Sequence, residues 1–194
     1  MYSLSERASM YNKAFPKYPP LVTTDRWLYG VWEIGNDYRN KTRLYGAYPP
    51  RYLDRVMSMF PDAISIMHLF SGSLPPGPYT RVDINPASKD ASLSPDVIGD
   101  AHRLGEYFLE RTFDLVLADP PYSKEDAVRY GFPMVNRHKV LLECAKLIVP
   151  SGFLVWLDVV KPMYRLTQWA LVGEIAVVRS TNHRVRMVFI FQRR

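Results

Sequence analysis

Cysteine is almost absent: Cys144 is the only one in a chain of 194 residues, so no internal disulfide can form. Val140, Leu141, Ala145 and Leu147 recur around it at helical spacing, which predicts a buried helix face with Cys144 as a packing residue. Long apolar runs are missing as well. No stretch approaches the roughly 20 residues needed to cross a bilayer, and Met1 to Ser9 is polar where a secretory signal is apolar. A cytoplasmic protein that engages no membrane is therefore expected. The histidines His102 and His183 stand at no metal-ligand spacing from the cysteine or from a second histidine, so no metal site is expected. Repeats, low-complexity tracts and interior linkers are also lacking.

What is present is the composition of an ordinary soluble globular protein, 47% hydrophobic and 23% charged, with core enough for one domain. The formal net charge is +6, and its distribution is uneven. Residues 161 to 194 carry seven Lys or Arg against one acid, residues 1 to 55 carry nine against five, and the middle carries nine against thirteen. Basic ends flank an acidic centre. That arrangement suits a site for a cationic group bordered by surfaces that hold a phosphate backbone, or else reflects solvated surface charge.

The first 50 residues are rich in Tyr, Trp and Pro with no sustained period of 2 or 3.6, and read as irregular or partly helical. Pro49 and Pro50 then precede Leu53, Val56, Met57 and Phe60 at helical spacing, predicting a helix over 50 to 60. Beyond Pro61, short apolar runs alternate with longer segments: 64 to 70, 79 to 84, 96 to 98, 113 to 118 and 152 to 158. These are five candidate strands. Continuous apolar runs such as Phe113 to Ala118, separated by crossover-length gaps, indicate an α/β domain with a parallel sheet covered on both faces. Two β-branched runs, 174 to 179 and 184 to 191, flank the turn signal Ser180-Thr181-Asn182-His183 and predict a closing antiparallel hairpin. Lys161 and Trp169 read as helix surface and core.

The chemistry centres on Leu117-Ala118-Asp119-Pro120-Pro121-Tyr122, at the C-terminal end of a buried strand, where open α/β sheets place their ligands. Two prolines after an aspartate stiffen the turn and aim the Asp119 carboxylate and the Pro120 carbonyl at one small space, with the Tyr122 ring beside them. Two acceptors and a ring suit an aromatic amine. Its lone pair is delocalised, and two accepted N–H hydrogen bonds favour the pyramidal nitrogen of a transferring transition state. A plain tight exit from a strand is the alternative reading of the same tetrapeptide.

Asp-Pro-Pro-Tyr resembles the motif IV signature of class I AdoMet-dependent amino-methyltransferases, best known among N6-adenine DNA methyltransferases. The resemblance implies a Rossmann-like fold with a mostly parallel seven-stranded sheet in the order 3-2-1-4-5-7-6, and S-adenosyl-L-methionine as cofactor. His68-Leu69-Phe70-Ser71-Gly72-Ser73 resembles the motif I loop, with Gly72 admitting a close approach of the backbone. Leu74 stands where the family usually has a second glycine, and Pro75 and Pro76 stiffen the loop. Asp83 of Val82-Asp83-Ile84 corresponds to the acid on the ribose hydroxyls. Asp100, followed by Ala101, corresponds to a contact with the cofactor's adenine amine, or serves as an N-cap, or both. Tyr45-Gly46-Ala47-Tyr48-Pro49-Pro50 loosely resembles motif X, which covers the methionine end, or caps and packs a helix. Residues 49 to 194 then form the methyltransferase domain, and residues 1 to 48 an N-terminal extension positioned to touch substrate.

The loop from Ser123 to Gly131, with Lys124, Arg129 and Tyr130, is expected to be a substrate lid or phosphate contact. The aromatic segments Trp27 to Trp32 and Asn36 to Arg39 read as base-stacking surface or as core. Asp119 lies 49 positions after Phe70, and the 72 residues after Tyr122 are consumed by two helices and three strands. No target-recognition domain fits. The chain therefore has low sequence specificity, reads bases with its first 50 residues, or takes recognition from a protein partner. A missing Pro-Cys pair excludes attack on cytosine C5, which needs a thiolate. DNA with adenine N6 as acceptor is the first expectation, RNA with guanine N2 the second. A non-catalytic nucleic-acid-binding subunit is the reading from another class.

Overall fold

The computed structural model describes residues 2–35, 48–86, 93–108, 113–179 and 182–194, and of 179 and 182–184 the backbone alone. Its core is the central strand β6 (Phe113–Ala118), whose residues are buried on both faces except at Asp114. On one side β6 pairs in parallel with β3 (Ile66–Leu69), which pairs with β4 (Thr80–Asp83), which pairs with β5 (Val97–Ile98). On the other side it pairs in parallel with β7 (Ile148–Asp158). The C-terminal hairpin of β8 (Trp169–Arg179) and β9 (Asn182–Arg193) then closes antiparallel onto β7 through β9. Read from the far edge, these seven strands have the order expected from the sequence.

The sheet has two strands more than expected. β1 (Val22–Thr24) and β2 (Trp27–Ile34) form a hairpin, and β2 continues the same nine-stranded sheet by pairing in parallel with β8. This corrects the reading of the first 50 residues as irregular or partly helical at 22 to 34, whereas the helical part is found at Leu4–Ala14. Trp27 to Ile34 alternates as a strand does, with Leu28, Trp32 and Ile34 buried while Tyr29 and Val31 are exposed. The helix before it, α1 (Leu4–Ala14), opens on a capping box: Ser3 Oγ accepts from the Glu6 amide, and the Glu6 carboxylate accepts from the Ser3 amide at 2.7 Å. Ser3-x-x-Glu6 was a legible start signal. The segment Asn36 to Arg39 lies outside the described residues.

α1 and α2 (Tyr52–Met59) cover one face, where Tyr11, Phe15, Trp32, Tyr52 and Phe60 pack against Phe153, Val155 and Leu157. Arg7 is buried there, held by Asp62 at 2.8 Å and lying 4.7 Å from both the Phe60 and Phe153 rings. α4 (Arg137–Leu147) and a 3-10 turn (Ala101–Glu106) cover the other face, and Cys144 is buried on α4 as its spacing predicts. Lys161 is exposed and lies in no helix, because residues 159 to 168 run between β7 and β8 without forming one. Trp169 is fully buried, but in a strand. Among the described residues no helix is long and apolar enough to cross a membrane.

Candidate active site at the carboxyl edge of the sheet

The register brings four strand ends to one edge. Leu69 pairs with both Val82 and Ala118, and Ala118 pairs with Trp156. The residues that follow, Phe70 to Gly72, Asp83, Asp119 and Asp158, therefore leave the sheet side by side at a strand spacing of about 4.8 Å. Asp83 and Asp119 stand two strands apart, roughly 10 Å.

The loop after β3 makes its turn with left-handed backbone at Phe70 (φ 57) and Gly72 (φ 51). The Gly72 amide donates to Asp83 Oδ2 at 2.9 Å and the Asn85 amide donates to Oδ1 at 2.9 Å, so Asp83 is fixed to the loop while remaining half-buried. Leu74 takes the place of a second glycine without left-handed backbone. It is buried, its amide donates to the Ser71 carbonyl at 2.9 Å, and its carbonyl accepts from Arg81 at 2.9 Å. Arg81 is in turn paired with Asp96. Ile84 is exposed and Ala101 is buried in the core. Asp100 caps the 3-10 turn, accepting from the His102 amide at 2.9 Å, and holds the His102 ring at 2.7 Å.

Above the turn lies an aromatic group. Tyr48 stacks on Tyr52 at 5.4 Å, and its hydroxyl lies 3.2 Å from Nδ1 of His68, which meets Tyr79 edge-on at 4.6 Å. Burial pushes His68 down to about 4, so its ring is neutral at ordinary pH. Tyr48, Tyr52 and Tyr122 are each pushed well above the usual phenol range, first by burial and then by the charge of Asp119. Those shared causes put three phenols within the field of the Asp119 carboxylate. Phe70 meets Trp156 edge-on at 6.3 Å, and Pro49 and Pro120 are buried.

Tyr122 donates its hydroxyl to Asp119 Oδ1, and the Arg186 guanidinium lies 4.4 Å over its ring. Arg137 Nη2 donates to the Tyr122 carbonyl at 3.3 Å and is itself held by Asp158. Asp158 is fully buried and accepts from Arg137 at 2.6 and 3.1 Å, from Trp156 Nε1 at 3.1 Å, and from the amides of Val159 and Val160 at 2.7 and 3.2 Å. Sequence reading passed over Asp158, Arg137, Arg186 and Tyr52. Asp158 carried a signal, since it ends a buried strand as Asp119 does.

The segment from Ser123 to Gly131 is not the loop expected. Ser123 caps a short helix, α3 (Lys124–Arg129), by accepting from the Asp126 amide at 3.1 Å. Lys124 and Arg129 are exposed on it, and Tyr130 follows it half-buried. Ser-x-x-Asp is a helix start, and two acids in the first turn reinforce it. Of the motif X segment, Tyr45 to Ala47 lies outside the described residues.

Two hydroxyls at this edge, Ser71 Oγ in the β3 loop and Tyr52 OH, are buried without a hydrogen-bond partner among the described residues. Buried polar atoms are rarely left so. A ligand bearing several polar groups, lying across the β3 loop from Asp83 to Asp119, fits these residues.

No family model matches this chain, and no curated protein matches it. Solved structures do. A protein of Streptococcus mutans described as a candidate SAM-dependent methyltransferase matches 90% of this chain and 55% of its own at 12% identity, with a TM-score of 0.50. TrmN from Thermus thermophilus matches over 68% of this chain and 44% of its own at 18% identity, TM-score 0.49. The N-methyltransferase NodS from Bradyrhizobium japonicum, in complex with S-adenosyl-L-homocysteine, matches over 68% and 78% at 12% identity, TM-score 0.43. The chain spans 44% of the TrmN chain and 55% of the Streptococcus chain. The fold is the mostly parallel, Rossmann-like α/β sheet of SAM-dependent methyltransferases, with a C-terminal antiparallel hairpin.

Proposed function

We propose that the chain is an AdoMet-dependent methyltransferase acting on the exocyclic amine of a nucleic-acid base, with adenine N6 in DNA as the acceptor. The observation that carries this reading is the adjacency of the Asp119-Pro120-Pro121-Tyr122 turn to the Phe70 to Gly72 loop at one sheet edge. The cofactor is S-adenosyl-L-methionine, which supplies a methyl group on a sulfonium. Asp83 holds the ribose hydroxyls, since a half-buried carboxylate already fixed by two amides still offers lone pairs to two vicinal donors. Phe70, Ser71 and Gly72 would hold the cofactor along the β3 loop, together with Tyr48, Pro49 and His68, and Ile84, Asp100 and Ala101 are the residues that would meet its adenine.

Asp119 and the Pro120 carbonyl accept the two N–H hydrogens of the amine, directing its lone pair at the methyl carbon. To reach Asp119 the amine takes the place of the Tyr122 hydroxyl, and that exchange frees the Tyr122 ring to swing against the base. With S-adenosyl-L-methionine bound, transfer to the amine would break its methyl–sulfur bond, and the amine would give up one proton to solvent. Arg137 and Asp158 position the turn from behind. Lys124, Arg129 and Tyr130 are assigned to the substrate strand because they follow the turn directly.

The test is transfer of labelled methyl to unmodified duplex DNA, single-stranded DNA and bulk RNA, with nucleoside digestion and mass spectrometry. N6-methyladenine in DNA is the expected product. Label as N2-methylguanine in RNA would move the acceptor, and no label in any nucleic acid would remove the activity.

A further inference from the structure

β7 ends at Asp158, which pairs with Met187 of β9, yet β9 begins at Asn182 and β8 runs on to Arg179 opposite it. The hairpin therefore overhangs the sheet edge by the five residues 182 to 186, roughly 16 Å at about 3.3 Å per residue. It does so on the side where Asp119 and Tyr122 leave the sheet. Beyond Met187 the β7-facing edge of β9 has no neighbouring strand among the described residues, and Arg186 is the first residue of that stretch.

Arg186 differs from the other arginines of this edge. Arg137 is neutralised by Asp158 and Arg81 by Asp96, each at hydrogen-bond distance. No carboxylate among the described residues forms an ion pair with Arg186, which instead lies over the Tyr122 ring at 4.4 Å. It is half-buried, so the Tyr122 ring and the hairpin restrict where its fork can point. A guanidinium that pairs with no carboxylate among the described residues and stands beside Tyr122 matches a phosphate, which it binds bidentately. Glu174 is the one acid in residues 161 to 194, so the overhang carries little to repel an anion.

We propose that Arg186 binds a backbone phosphate next to the target nucleotide, and that the overhanging end of the β8–β9 hairpin is the surface along which the nucleic-acid strand runs. The proposal rests on the reading of the substrate as a nucleic acid, and it replaces a separate recognition domain with a grip built into the sheet.

The experiment measures binding of a fluorescein-labelled, adenine-containing single-stranded oligodeoxynucleotide to the full chain by anisotropy across a salt series, beside AdoMet binding by calorimetry. R186A is expected to weaken oligonucleotide binding about tenfold and to flatten the slope of log affinity against log salt by roughly 0.7, the value for one lost phosphate contact on a single strand. R186K should restore the slope while recovering only part of the affinity, because the ammonium keeps the charge and loses the fork. V185E, placing an acid on the same overhang at a half-exposed position, should weaken binding as well. AdoMet affinity should be unchanged in all three. Unchanged oligonucleotide affinity and slope in R186A and V185E, with normal AdoMet binding, would overturn the proposal while leaving methyl transfer by the wild type intact. A wild type that binds AdoMet but neither binds nor methylates any nucleic acid would overturn the functional reading itself.

Discussion

Asp119 and Asp158 stand at the ends of neighbouring parallel strands, yet the donors around them differ in kind. Asp158 is fully buried and receives five hydrogen bonds, from a paired arginine, an indole and two backbone amides, all held by the surrounding fold. Asp119 is half-buried and receives the hydroxyl of Tyr122, a side chain able to rotate away. A carboxylate whose donors are fixed contributes to folding, whereas one that accepts from a rotatable side chain can exchange that donor for a substrate. Position at a strand end does not separate the two; the donors around them do.

The sharpest way to break that contrast is Asp119→Ala. Methyl transfer should fall by about three orders of magnitude, as when a preorganised group facing the reacting atoms is removed, roughly 4 kcal/mol of barrier. The thermal midpoint should move by no more than a degree or two. Measurable turnover near the wild-type level would remove Asp119 from the chemistry.

Asp158→Ala should give the mirror image. Taking one partner from a buried pair leaves Arg137 uncompensated and costs about 3 to 5 kcal/mol of stability. At about 2 to 4 °C per kcal/mol the midpoint drops by roughly 10 °C, which calorimetry would register. An unaltered midpoint would mean that the five hydrogen bonds contribute little.

His68 sharpens the comparison, being buried as Asp158 is but uncharged. The unfolded chain gains a proton as pH falls below about 6.5, while the folded ring resists until about 4, so stability declines through that window. At about 1.36 kcal/mol per unit the loss approaches roughly 3 kcal/mol. His68→Gln should flatten the midpoint-against-pH curve between those limits, and a curve of unchanged steepness would show that other groups carry it.

The smallest effect is expected for Asp83→Ala. AdoMet affinity should drop about tenfold or somewhat more, the equivalent of one or two hydrogen bonds to a charged group, with little change in the midpoint of the protein without AdoMet. Equal calorimetric affinity in the variant and the wild type would return Asp83 to a purely loop-fixing role.

The legible parts share a cause. β6 was readable to the residue because Phe113 to Ala118 is a continuous apolar run in the middle of a sheet, while alternating segments and a terminal turn signal announced five strands and a hairpin, whose order came from the resemblance to class I methyltransferases. α2 and the helix around Cys144 were legible from spacing. β1 and β2 were missed because an edge hairpin with Tyr29 and Val31 exposed shows only a weak alternation, and its pairing with β8 spans most of the chain. α3 was missed although Ser123 and the acids after it announce a helix start. Around the site, Asp83, Asp119 and Asp100 were picked out by strand ends and motifs, while Arg137, Asp158, Arg186 and Tyr52 lie in no motif.

The sequence by itself determined the alternation of strands and helices, the stiff Asp119-Pro120-Pro121-Tyr122 turn, the left-handed freedom at Gly72 and the charge of the C-terminal third. All of these depend on residues close along the chain, whose backbone preferences and periodicity act locally. Only the tertiary structure decided that β2 joins β8, that Asp158 serves Arg137 while Asp119 meets Tyr122, and that Arg186 lies over the Tyr122 ring with no ion-pair partner among the described residues. Those outcomes depend on which distant groups share a small volume, where burial and the direction of each donor assign the partners.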